Sequence, residues 1–377
     1  MIDIEELNER ILRCYESFRR EDSLLTRKNL VDAFIDVCSV FADLGDLVNF
    51  ENNFNKIRDL KIFDQFPDIS NSIAFLFPIL TLNASSKIKN KPELLDDVFF
   101  MMRELVLNKP SEEYSQLLKA IHPFRTIWKG YKEFCRWWKF SNFSNTDYVT
   151  IVYDEPGIKE CSLAESALIT FTQRVMNTQF KEDLARLTML FIENTQKHNF
   201  TLYSNFYIAR LFLKLGICFN LIQRVLRPFV IEYYKNPFAW YYLSKTFPNS
   251  RFIDKYSCLL MSLDCAENFD GDLVPGIFLD TAFVLKVNGN LDVAKYYFEK
   301  FVDCKKSTDS AIPTYISAIL NENWYKSTQS VPTELNFDFK GNCRGILRSL
   351  KDADREVWAS LYRFVRDKNM ESVDWNC

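Results

Sequence analysis

The sequence predicts an all-α protein, and three observations support this fold class. Glycine and proline are scarce, with 9 and 12 residues, whereas phenylalanine and tyrosine number 34 and 17 in a chain of 377 residues. Apolar residues recur at helical spacing along most of the chain. A pattern of large and small residues also recurs in the second half, as arrays of helical hairpins require. Together these features predict paired helices and little sheet.

The N-terminal region, residues 1–140, is predicted to be helical without a recognisable repeat. Its apolar positions fall on one face of each helix and its charges on the other, which is typical of amphipathic helices on a core. The lysine-containing stretch 85–93 is expected to be an exposed loop. Helices are predicted over residues 7–18, 30–41, 47–57 and 94–107.

Residues 141–161 predict an irregular connection with room for a short hairpin. This stretch contains β-branched residues, several asparagines and the turn dipeptide Pro156-Gly157. Directly after it, Ser162 and Glu165 form an S-x-x-E capping motif ahead of an apolar run. We therefore expect a domain boundary at 141–161 and a helix that begins at the motif.

Residues 162–325 are predicted to contain degenerate hairpin repeats. Gly216 and Gly289 each end a similar helical pattern, and residues 237–247 open another copy between them. In the clearest copy a large, small, large triplet precedes the turn glycine, and a small and an aromatic residue follow it, which is the tetratricopeptide pattern. Its positions are Phe278, Ala282, Leu285, Gly289, Ala294 and Phe298. We expect the hairpins to form a right-handed superhelix, followed by a linker and a C-terminal capping helix within 326–377.

Several stretches carry a closer resemblance. The blocks are WWKFSNFSNTDY (137–148), SLAES (162–166), NPFAWYYLSKTF (236–247) and IPTYISAILNENWY (312–325). They resemble an uncharacterised bacterial family of tetratricopeptide-like helical-repeat proteins. The resemblance implies the repeat fold and a setting in conflict or stress systems. Some members of that family carry a cold-shock-type nucleic-acid-binding barrel, which has no obvious counterpart here, and no catalytic residue is implied.

Composition argues against several classes of function. The formal charge of −3 provides no global attraction to nucleic acid. The ten cysteines are scattered without a C-x-x-C pair, which indicates reduced thiols in a cytoplasmic protein and no zinc site. Only His122 and His198 are available for acid–base catalysis, and no glycine-rich phosphate loop is present. We therefore expect a protein that is not an enzyme and needs no metal or cofactor.

The stretch 128–140, WKGYKEFCRWWKF, interleaves cations with rings. On one continuous helix its cations, with Arg125, would form a basic stripe, and most rings would point away from it into the core. Only Trp128 and Phe140, at the edges of the stripe, would be placed to stack on bases. A solvated face is the favoured interpretation, and binding to an acidic protein or a phosphate backbone is the alternative. The stripe comprises Arg125, Lys129, Lys132, Arg136 and Lys139.

The predicted function is a noncatalytic scaffold or adaptor in a bacterial multi-protein system. A concave groove of the repeats would hold a protein partner. Its predicted contact residues are Asn205, Tyr241, Tyr242 and Lys245, although the two tyrosines could instead pack between hairpins. The alternative is a nucleic-acid-binding accessory factor that acts through the basic stripe. An enzyme with an unrecognised site is the third hypothesis.

Overall fold

The structure of the protein is a computed structural model. It describes residues 4–151, 161–176, 181–198, 200–267, 273–332 and 337–370. Helices dominate these residues, and the predicted all-α fold class is confirmed. Contacts divide the chain into two compact units, residues 1–177 and 178–377. Within the described parts of the chain, no helix is long and apolar enough to cross a membrane.

The first unit contains ten helices and one strand pair among its described residues. The helices are α1 (Ile4–Arg20), α2 (Leu24–Asp43), α3 (Leu47–Asp59), α4 (Pro67–Ala74), α5 (Leu76–Asn83), α6 (Ser85–Asn90), α7 (Leu94–Glu104), α8 (Glu112–Ile121), α9 (Tyr131–Trp138) and α10 (Leu163–Val175). Strands β1 (Thr150–Ile151) and β2 (Cys161–Ser162) pair antiparallel.

Helix α2 organises the N-terminal part of this unit, because it packs against α1, α3 and α5. The Ser23 hydroxyl caps it by accepting a hydrogen bond from the Thr26 N–H at 3.3 Å. The rings of Phe50 and Phe77 are fully buried and meet at 5.7 Å between centroids. The predicted helices over 7–18, 30–41, 47–57 and 94–107 are confirmed as α1, α2, α3 and α7, although α7 ends at Glu104.

The prediction of an exposed loop over residues 85–93 was wrong, because Ser85–Asn90 forms α6. Ile88 is fully buried on this helix, while the Lys87 ammonium donates to the Gly45 carbonyl at 3.0 Å. Ile88 is a single apolar residue among polar neighbours and therefore gives no periodic signal. The sequence could not show that this segment is a helix with one side facing the core.

Helix α10 lies at the centre of the first unit. The Ser162 hydroxyl accepts a hydrogen bond from the Glu165 N–H at 3.1 Å, which confirms the predicted start of the helix. Its residues from Leu163 to Thr172 are all buried. The ring of Phe171 meets that of Phe140, and Arg174 donates to the Arg125 carbonyl. The unit boundary therefore follows α10, whereas the sequence placed it at 141–161.

The second unit continues the chain with further helices. They are α11 (Lys181–Lys197), α12 (Leu202–Leu215), α13 (Phe219–Glu232), α14 (Pro237–Ser244), α15 (Phe252–Ala266), α16 (Leu273–Val287), α17 (Leu291–Ser307), α18 (Thr314–Leu320), α19 (Asn323–Ser327), α20 (Phe339–Ser349) and α21 (Arg355–Met370).

Helices α12 to α17 follow one another as packed neighbours. Gly216 and Gly289 adopt the left-handed conformation, with φ of 69° and 81°, and so allow the tight turns between paired helices. Ala282 and Ala294 are fully buried, and the nearby Phe298 ring is buried against Phe283. The predicted hairpins and turn glycines are thus present, while the superhelical twist stays a prediction.

The region predicted as a linker before the last helix contains an additional helix, α20. It packs against α15, where the Asn342 amide donates to the Ser257 hydroxyl at 3.1 Å. Two glycines, Gly341 and Gly345, weaken its helical signal in the sequence. The predicted capping helix near 353–366 is α21, which packs against α11.

Candidate functional site

Three of the four predicted contact residues lie together: Tyr241 and Tyr242 on α14, and Lys245 at its C-terminal end. Tyr241, Tyr242 and Lys245 are each half-buried, and their side chains reach the neighbouring helices α12 and α16. Asn205 is half-buried on α12, and no described contact joins its side chain to the other three. The structure therefore brings three of the predicted residues together and leaves the fourth apart.

Asp280 on α16, which the sequence did not single out, connects the α14 residues. The Tyr241 hydroxyl donates to the Asp280 carboxylate at 2.6 Å, and the Lys245 ammonium forms an ion pair with the same oxygen. Lys245 also lies over the Tyr241 ring, 4.9 Å from its centroid. Burial, and then the negative charge of Asp280, raise the pKa of Tyr241, so its hydroxyl remains a donor at neutral pH.

On the other side of α14, the Arg210 guanidinium of α12 lies among aromatic rings. Its central carbon is 5.0 Å from the centroid of Tyr242, 5.3 Å from that of Tyr207 and 5.5 Å from that of Phe206. The Tyr242 ring also meets Phe206 edge-on at 5.2 Å. The Arg210 Nε is buried and has no hydrogen-bond acceptor among the described residues.

A cation also lies over an aromatic ring between α16 and α19. The Lys286 ammonium lies 5.2 Å from the Trp324 ring centroid and pairs with Glu322 at 2.8 Å. The hydrogen bonds from Lys286 and the Trp324 indole lower the pKa of Glu322. These contacts join α12 to α14, the C-terminal end of α14 to α16, and α16 to the start of α19.

We name this series the cation–ring row, which consists of Arg210, Tyr241, Tyr242, Lys245, Asp280, Lys286, Glu322 and Trp324. Its two lysines pair with carboxylates of later segments: Lys245 with Asp280 of α16, and Lys286 with Glu322, the residue before α19. Its arginine has no carboxylate partner within the described residues. The sequence did not predict five members of the row, because only contacts between helices identify them and no local motif does. These members are Arg210, Asp280, Lys286, Glu322 and Trp324.

The basic stripe of the first unit is not one helix, so that prediction was wrong. A 3-10 turn covers His122–Phe124, α9 covers only Tyr131–Trp138, and Lys139 ends α9 with a positive φ of 60°. Lys132 and Arg136 share a face of α9, where Arg136 pairs with Glu133 at 2.9 Å. Arg125, Lys129 and Lys139 lie outside the helix.

The rings proposed for base stacking at the edges of the stripe are buried. Trp128 is 1% exposed and its indole N–H donates to Asp96 at 2.9 Å, while Phe140 is 7% exposed. Gly130 permits this packing, because an added Cβ would lie 2.5 Å from the Trp128 ring. The prediction that most aromatics of this stretch form core is confirmed.

A different ring, Trp137, lies beside cations in the first unit. It is half-buried, and the Lys109 ammonium is 5.4 Å from its centroid and 4.5 Å from that of Tyr114. Burial, and then the charge of Lys139, lower the pKa of Lys109. Neither lysine has an ion-pair partner in the described parts of the chain, so this is a small uncompensated positive patch.

A serine, a histidine and a tyrosine meet inside the first unit, but they are enclosed. The His122 ring nitrogens lie 2.7 Å from the Tyr131 hydroxyl and 2.7 Å from the Ser166 hydroxyl. All three side chains are fully buried, so a substrate has no access to them in this structure. Burial holds the pKa of His122 well below its ordinary value. The cluster thus satisfies buried polar groups.

The cation–ring row lies within the part of the chain that matches a protein-family model. A protein-family model with the description "Domain of unknown function (DUF7017)" matches residues 202–339, from the first residue of α12 to the first residue of α20. No curated protein matches the chain. Within the described residues, no group of three or more His, Cys, Asp or Glu side chains could hold a metal ion.

Proposed function

We propose that the protein is a noncatalytic scaffold that binds a segment of a partner protein along the cation–ring row. The carrying observation is that contacts between helices join the cations Arg210, Lys245 and Lys286 to aromatic rings, among them the half-buried Tyr241 and Tyr242 of α14. Tyrosine, tryptophan and arginine dominate the binding energy of many interfaces, because they bury large areas and still make polar contacts. The repeat supplies the spacing that an extended partner requires.

The biological setting belongs to the same proposal. The resemblance to bacterial helical-repeat proteins of conflict or stress systems supports an adaptor in a multi-protein assembly in the cytoplasm. The ion pairs within the row favour recognition over catalysis, because Tyr241 and Lys245 already share the Asp280 carboxylate. This arrangement holds the side chains in one geometry before a partner binds, which lowers the entropy cost of association.

Site-specific photocrosslinking in the native host tests the location of the partner. A photoreactive phenylalanine analogue replaces Tyr242 on the row or, as a matched control, the exposed Val48 of the first unit. We expect a covalent adduct of defined mass from position 242 and none from position 48. Identical adducts from both positions, or adducts from neither, would contradict a binding row in the second unit.

Nucleic-acid binding is the second candidate, and the patch of Lys109, Lys139 and Trp137 favours it. Lysines without carboxylates beside a half-buried indole match the combination that binds single strands. A labelled oligonucleotide should then bind at low salt and dissociate steeply as salt rises. The charge reversals Lys109→Glu and Lys139→Glu should abolish binding, whereas Lys235→Glu and Lys300→Glu in the second unit should not. Absence of binding at low salt would exclude this candidate.

A further inference from the structure

The environment of Arg210 differs from that of three other cations in the second unit that lie over aromatic rings. Lys245 lies over Tyr241 and has Asp280, and Lys286 lies over Trp324 and has Glu322. Arg251 is the closest match, because it is an arginine over the Phe247 ring, 4.7 Å from the centroid, and it pairs with Asp254 at 2.7 Å. In each case the chain supplies a carboxylate to the cation over the ring.

Arg210 is surrounded by three rings, yet the chain supplies it with no carboxylate among the described residues. The centroids of Phe206, Tyr207 and Tyr242 lie 5.0 to 5.5 Å from the central guanidinium carbon, and a ring face attracts the cation without offering its N–H groups an oxygen acceptor. The Nε donor is buried without an acceptor. A donor without a partner is costly, and the Arg210 side chain as a whole is only half-buried, so its exposed part can meet an acceptor that another molecule provides.

We infer that Arg210 anchors a carboxylate side chain of the partner segment, and that the segment is therefore acidic. This inference rests on the proposed function. A carboxylate matches the two parallel N–H groups of a guanidinium edge, and the surrounding rings exclude water from the pair. The Asp280 and Glu322 carboxylates neutralise the other cations of the row. A single acidic residue flanked by apolar residues consequently fits better than a polyanion with regularly spaced phosphates.

Arginine side-chain NMR of the full chain tests the anion site directly. The spectrum of Arg210→Lys identifies the Arg210 Nε–Hε signal by its loss. We expect sodium acetate to shift this signal saturably, and sodium chloride at equal ionic strength to leave it unmoved. An unmoved signal in acetate overturns the inference. A tighter response to inorganic phosphate than to acetate overturns the assignment to a carboxylate.

Selection of short random peptides on the full chain tests the partner chemistry. Peptides enriched on the wild type should carry an aspartate or glutamate, and its replacement by the corresponding amide should weaken binding roughly tenfold or more. The Arg210→Met variant should bind the acidic and amide forms equally. The matched variant Arg251→Met should retain the preference of the wild type, since Arg251 already has Asp254.

The outcomes separate this inference from the proposed function. Enriched peptides that lack an acid, or that bind Arg210→Met as tightly as the wild type, overturn the inference and leave the binding row standing. A saturable acetate response combined with no enriched peptide supports an anion site at Arg210 and contradicts the peptide-binding row. Thermal unfolding of both variants near the wild-type temperature shows that changed binding does not reflect misfolding.

Discussion

Residues 128–140 of the first unit and residues 237–247 of the second both mix aromatic rings with basic side chains, but they place them differently. In the first segment Trp128, Tyr131, Phe134 and Trp138 are buried, and the cations lie at the surface. In the second, Tyr241 and Tyr242 are half-buried and contact cations from their own or a neighbouring helix. The comparison teaches that such a mixture can complete a core or form a recognition surface.

The difference arises from the neighbours of each segment. Helix α9 contacts α10, and the Trp138 ring stacks on Tyr114 of α8 with 5.0 Å between centroids. Helix α14 instead lies in an array, where its rings meet polar residues of alternate helices. The first unit thus uses aromatic residues mainly for stability, whereas the second uses some of them to position charge.

Replacement of Trp138 by alanine should destabilise the first unit by about 3–5 kcal/mol, since it leaves a cavity. It also removes the hydrogen bond from the Trp138 indole to the Tyr114 carbonyl at 3.1 Å. Urea unfolding with hydrogen exchange of α8 measures the loss. The control Tyr242→Ala removes a half-buried ring and should cost clearly less. Equal losses would contradict the different roles of the two segments.

Two glycine substitutions should change stability in opposite directions. Gly130→Ala should destabilise the first unit by about 1–3 kcal/mol, because its methyl group would overlap the buried Trp128 ring. Gly345→Ala in α20 meets no atom within 4 Å and should stabilise the second unit by roughly 0.5–1 kcal/mol through its helix propensity. The two unfolding midpoints provide the measurement. A neutral Gly130→Ala would show that the indole can move.

Acid should weaken the first unit through His122, whose pKa burial lowers well below its ordinary value. The unfolded chain then binds the proton more readily, so stability falls as pH drops below about 6.5, by up to about 1.4 kcal/mol per pH unit. The buried Asp147, whose pKa burial raises, acts in the opposite direction. Unfolding midpoints of the wild type and of a variant without the histidine, compared over the same pH range, therefore isolate the histidine effect.

The matched variant for this measurement is His122→Asn, which should flatten the pH dependence. His198, whose pKa burial also lowers, has the same sign of effect in the second unit. Amide hydrogen exchange measured in α8 and α10 reports the stability of the first unit alone. An unchanged slope in His122→Asn would assign the acid sensitivity to other groups.

Loss of the carboxylate at position 280 should have a smaller effect, about 1 kcal/mol. Asp280→Asn weakens the ion pair with Lys245 and the hydrogen bond from Tyr241 at 2.6 Å. Arg210→Met, which breaks no ion pair within the described residues, should change stability by less than about 1 kcal/mol. Thermal unfolding compares the two variants. A large loss in Arg210→Met would indicate a structural role for Arg210.

Much of the fold could be predicted from local pattern. The start of α10, the turn glycines 216 and 289, and the burial of Ala282 and Ala294 all follow from spacing and capping rules. Helices α6 and α20 were missed because a single buried apolar residue or a pair of glycines obscures the helical period. Of the candidate site, Tyr241, Tyr242 and Lys245 were predicted, whereas Arg210 and Asp280 were not.

The sequence by itself determined that the chain is helical, that α10 begins after Ser162, and that the second half forms hairpins. These properties depend on hydrogen bonds and side chains within a few positions of the chain. The tertiary structure alone decided that α10 lies at the centre of the first unit and that Trp128 is enclosed. It also decided that Asp280 neutralises Lys245 while Arg210 receives no carboxylate among the described residues. Those outcomes depend on which distant segments meet, and charge and burial act through space rather than along the chain.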